Sequence, residues 1–63
     1  MKVELTVKEL ERRIERHVSD LNSVYATSAT KAYAEKMIKR LKDGISMLQN
    51  GESSVEVWKH ING

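Results

Sequence analysis

Apolar residues recur along this chain at intervals of three and four rather than two, and that spacing predicts helices almost from end to end. Between Thr6 and Ala26 the positions Val7, Leu10, Ile14, Val18, Leu21 and Tyr25 step in this way. Turning about 100° per residue, they fall with His17 and Val24 in an arc of roughly 120°, which one partner surface can cover. The opposite side carries Glu9 with Arg13 and Arg16 with Asp20 at the i,i+4 spacing. Such pairs contribute about 0.2–0.5 kcal/mol each on an exposed helix, so they solubilise more than they stabilise.

The start of this first helix is written into Leu5-Thr6-Val7-Lys8-Glu9-Leu10. Thr6 can accept a bond from the Glu9 amide, Glu9 can reach back to the Thr6 amide, and Leu5 can clasp Leu10 across them. The first helix is therefore expected over residues 6–26. Ahead of it, Val3 and Leu5 alternate with Lys2 and Glu4, a pattern that suits a short extended arm over residues 1–5.

Thr27, Ser28 and Thr30 are helix-capping types, yet neither glycine nor proline forces a break there. Two arrangements follow: a tight turn that makes a hairpin, or one helix through Asn50, about 45 residues and near 68 Å long. A helix of that length needs a partner throughout, whereas globular helices average about 11–12 residues, so the hairpin is expected. The second helix is predicted over residues 28–50 and stops at Gly51, a residue suited to the left-handed closing conformation. Its main stripe is Ala34, Met37, Ile38, Leu41, Ile45 and Leu48. A shoulder of Ala29, Tyr33, Gly44 and Met47 widens the apolar arc to roughly 180°, more than the first helix can cover.

Ser53-Ser54-Val55-Glu56 repeats the capping-box pattern and opens a third helix over residues 54–61, with Val57, Trp58 and Ile61 on one side. Two turns are marginal alone in water, so this helix must dock, most naturally over the shoulder with Trp58 as anchor. The expected fold class is all-α: an antiparallel helical hairpin plus a short C-terminal helix in one domain, dimerising into a helical bundle.

Composition narrows the function. A chain of 63 residues buries only roughly 60% of the surface its unfolded form exposes, so the core must be thin. Cysteine is absent and there are two histidines, so disulfides, a thiolate site and a histidine cage are not expected, nor is any cofactor. No apolar run approaches the roughly 18 residues of a membrane span, and no signal-peptide pattern opens the chain, so the cytoplasm is expected. The formal charge is +2. It is unevenly placed: the first helix is balanced, the segment from Thr27 to Asn50 carries an excess of three cations, and the ends are net negative by one.

Catalytic equipment is sparse. There is no nucleophile elbow and no phosphate-binding glycine loop, and His17 reads as a boundary or core histidine rather than a base or ligand, so an enzyme is not expected. Lys36, Lys39 and Arg40 are candidates for anion or nucleic-acid contacts, since clustered cations neutralise phosphates. They share their side with Glu35 and Asp43, as a solvated face does, and the long helices with a glycine-free turn fit a helix-turn-helix poorly. Tyr33, Met37, Gly44, Met47 and Trp58 are the candidate partner or oligomer contacts. Aromatic residues anchor interfaces, methionine suits adaptable surfaces, and a mid-helix glycine suggests close approach of another helix.

The function expected from these features is a small helical protein–protein interaction module, a homodimer acting as regulator, inhibitor or adaptor. Its size and equipment suit the accessory proteins of bacteria or their phages, including inhibitors of host or defence enzymes, an expectation by analogy only. The alternatives are a nucleic-acid-binding or transcriptional regulator using the basic residues of the second helix, and, more weakly, an oligomer sequestering a small anionic nucleotide.

Overall fold

Capping chemistry sets most of the boundaries in the computed structural model, which describes residues 5–62 and so leaves Met1–Glu4 of the expected arm, and Gly63, outside the described residues. Helix α1 spans Val7–Leu21, α2 spans Ser28–Gln49 and α3 spans Ser54–Asn62. Thr6, with φ −113° and ψ 158°, caps α1 by accepting from the Glu9 amide at 3.2 Å. The return half of the box is not used, because the Glu9 carboxylate turns to Arg13 Nε at 3.5 Å. Leu5 and Leu10 do meet in the core, and the Leu5 amide donates to Ser54 Oγ at 3.1 Å, tying the entry of α1 to the start of α3.

The first helix ends five residues before the expected Ala26. The Asn22 amide donates to Val18 O at 3.1 Å, the Ser23 amide to Asp20 O at 3.3 Å and the Ala26 amide to Ser23 O at 3.2 Å. The Tyr25 amide then bonds Ser23 Oγ at 3.2 Å. Short polar side chains offer the backbone local partners that compete with the helical ladder, and here the turn wins. Val24 and Tyr25, expected on the helix's apolar arc, consequently lie in the connection. Thr27 caps α2 by accepting from the Thr30 amide at 3.2 Å, which resolves the sequence ambiguity in favour of the hairpin.

At its far end α2 closes in a Schellman arrangement. Gly51 has φ +89°, its amide donates to Leu48 O at 3.1 Å, and the Glu52 amide donates to Met47 O at 3.0 Å. Ser53 Oγ then accepts from the Glu56 amide at 3.3 Å and starts α3.

The resulting molecule is all-α among the described residues, with α1 packed on α2 and α3 packed on α2. The core lies at one end of the hairpin, where Leu5, Leu10, Leu41, Val57 and Ile61 are buried together. Burying each of the large side chains contributes about 1.5–3 kcal/mol. Gly44 is the meeting point of the three helices. A Cβ placed there would lie 3.1 Å from Val57 Cγ1 and 3.3 Å from both Ile61 Cδ1 and Leu10 Cδ1. Helix α3 thus covers the Gly44 and Met47 part of the shoulder within the same chain. The free end of the hairpin, toward residues 22–27, receives no such cover from α3.

Candidate interaction groove

Because α3 has only nine residues and α2 has twenty-two, the third helix fills one half of the seam between α1 and α2 and leaves the other half open. The open half begins at Ile61 and Asn62 and runs toward the hairpin connection, enclosing about 920 Å³. Met37, Leu41 and Ile61 supply its apolar lining. Arg13, Arg16, His17 and Asp20 line it from α1, and Tyr33 from α2.

The periodicity of each helix explains this placement. Tyr33, Met37 and Leu41 are four residues apart, as are Glu9, Arg13 and His17, so each set projects along one side of its helix. Arg13 is held twice: its guanidinium lies 4.8 Å from the centroid of the Trp58 ring, and its Nε pairs with Glu9. Arg12 and Arg16 make no ion pair within 4.0 Å among the described residues, so the Arg16 and Asp20 pair suggested by their spacing does not form. The His17 ring stands edge-on to Tyr33 at 6.1 Å and 70°. Its Nδ1 is buried without a hydrogen-bond partner. Buried polar atoms are ordinarily paired, so an orphaned one beside an open groove is an informative exception.

Each residue singled out by sequence now has a place. Tyr33 is 58% exposed and forms a groove wall. Met37 is half-buried in the groove lining, while Met47 and Trp58 are half-buried against the core. Gly44 is buried by Leu10, Val57 and Ile61, so it faces no solvent. The three basic candidates do not act together. Arg40 Nη1 donates to Ile61 O at 3.2 Å and caps the end of α3, Lys36 is exposed, and Lys39 belongs to a separate hollow with Leu21, Ile38 and Lys42, shared with Glu35 and Asp43. Helix α3 is further tied to α2 by His60 Nε2 and Asp43 Oδ2 at 3.3 Å.

Sequence reasoning assigned Arg13 and Arg16 to a solvated face and placed Val24 and Tyr25 on a helix. Their actual surroundings depend on where α3 stops and where α1 ends, neither of which periodicity encodes. Val24 and Tyr25 are 89% and 91% exposed, and Val18 on α1 is 41% exposed. Among the described residues no three histidine, aspartate or glutamate side chains converge as metal ligands, and no helix is long and apolar enough to cross a membrane. No known protein family, curated protein or solved structure matches this chain.

Proposed function

We propose that this chain is a helical protein-interaction module that docks through the free end of its α1–α2 hairpin, acting as a regulator, inhibitor or adaptor by occupying a surface on a protein partner. The observation that carries this reading is the pair Val24 and Tyr25, adjacent in the connection and almost fully exposed, with Val18 and Tyr33 also exposed within two turns of it. Single exposed apolar residues are ordinary, but aromatic side chains grouped at one end of a molecule are the usual anchors of interfaces. Nucleic-acid binding through Lys36, Lys39 and Arg40 has less support, because Arg40 is engaged with α3 and Lys39 faces a hollow of mixed charge.

A photo-crosslinking amino acid at position 25, compared with one at exposed Glu52 near the other end, tests the proposal in the native host. A discrete protein adduct from position 25 alone is the expected outcome, and equal labelling from both positions refutes it. The partner in this scheme can be a second copy, as the expected homodimer requires. An adduct at twice the chain mass, with light scattering reporting a dimer that Tyr25→Ser dissolves, identifies that case.

A further inference from the structure

We infer that the open half of the α1–α2 groove seats a short acidic amphipathic helix of the protein partner, laid end to end with α3. This rests on the interaction-module reading and names the chemistry of the partner. The groove already accepts a helix over its other half, where Val57 and Ile61, four residues apart, pack with Leu10 and Leu41 over Gly44. Along α2 the open lining runs from Tyr33 to Leu41, roughly 12 Å at 1.5 Å per residue, the length of about two helical turns. Tyr33, Met37 and Leu41 extend the lining through that space at the same four-residue repeat, so an incoming helix needs apolar residues spaced by four.

Charge selects an acidic occupant. Arg12, Arg13 and Arg16 line the groove from α1 against Glu9 and Asp20, an excess of one cation, and Arg13 is the one already paired with Glu9. Arg12 and Arg16 have no ionic partner among the described residues.

A helix also fits this site better than a phosphate does. The helix end that reaches the groove is the C-terminus of α3, at Ile61 and Asn62. Its terminal carbonyls repel an anion placed directly against them and attract N–H donors, such as the free amides at the N-terminus of a helix laid in line. The partner's carboxylates then lie along its flank, facing Arg12 and Arg16.

The test places p-benzoylphenylalanine at position 33, in parallel with position 25, in the full chain expressed in its native host, and identifies the crosslinked peptides by mass spectrometry. Position 33 is expected to capture a segment with apolar residues four apart flanked by at least two Asp or Glu. A synthetic peptide of that segment should gain helicity on binding the purified chain. The exposed double substitution Arg12→Glu with Arg16→Glu should weaken binding tenfold or more, with Lys59→Glu as a control changing it less than twofold, and circular dichroism should show both proteins folded. Adducts from position 25 without any from position 33 overturn this inference and leave the docking reading standing. Capture at position 33 of nucleic acid, of a second copy of this chain, or of a segment without that acidic pattern overturns it too. No adduct from either position overturns both.

Discussion

Replacing Gly44 by alanine separates two accounts of the second helix, because only on an open surface does the full propensity gain appear. On an open helix surface, glycine to alanine stabilises by roughly 1 kcal/mol through the backbone entropy that glycine loses on folding. In this structure the new methyl would sit 3.1 Å from Val57 Cγ1 and 3.3 Å from Ile61 Cδ1 and Leu10 Cδ1. Those are three buried side chains from two other elements, and all would have to move outward together. Overpacking of this kind costs typically about 1–3 kcal/mol, which offsets the propensity gain and leaves a net destabilisation of about 0–2 kcal/mol. For a domain of this size about 1 kcal/mol shifts the midpoint by roughly 4–8 °C, so the effect is measurable. Thermal unfolding followed by circular dichroism, with Trp58 fluorescence reporting on α3, provides the assay. The exposed reference substitution Ala32→Gly on the same helix calibrates the propensity term and should lower the midpoint by about 1 kcal/mol equivalent. A Gly44→Ala protein stabilised by the full increment of about 1 kcal/mol expected on an open helix surface would refute the packing of α3 over Gly44, and with it the closed half of the groove.

Two further substitutions test how α3 is held and how α2 ends. Arg40→Met keeps the stem that packs beside α3 but removes the donor to Ile61 O; it should cost about 0.5–1.5 kcal/mol and speed amide exchange in α3 more than in α1. Uniform exchange across all helices would show that this bond does not anchor α3. At Gly51, where φ is +89°, alanine has open space around its methyl but an unfavourable backbone, so Gly51→Ala should destabilise by about 1–2 kcal/mol in urea titration. A neutral result would count against the left-handed closure.

The helix starts were legible in the chain because a cap is a local device. Thr6, Thr27 and Ser53 each bond an amide three residues on, and no distant residue takes part. Gly51 closes α2 for the same reason: the left-handed backbone it adopts is a property of one residue. The end of α1 was not legible. Asn22 and Ser23 offer turn bonds nearly equal to the helical bonds they replace, and the apolar rhythm runs on through Val24 and Tyr25 without regard to which set forms.

The candidate groove divides along the same line. Tyr33 and Met37 could be named from their spacing on α2, whereas Arg13, Arg16 and His17 entered only when the hairpin set them across the seam from those residues. Gly44 was recognised as a place of close approach, but whether the approaching surface belonged to this chain or to another could not be read from periodicity. That depended on α3 turning back over α2, with its entry tied to Leu5 and its end to Arg40. By itself the sequence determined where α1 and α3 begin, where α2 ends and which sides are apolar, since these follow from bonds and rotations spanning a few residues. It left the break before α2 between a hairpin and one long helix. Which apolar sides meet, and which stretch of seam is left open, only the tertiary structure decided, because that outcome rests on the relative lengths and directions of helices joined by short turns.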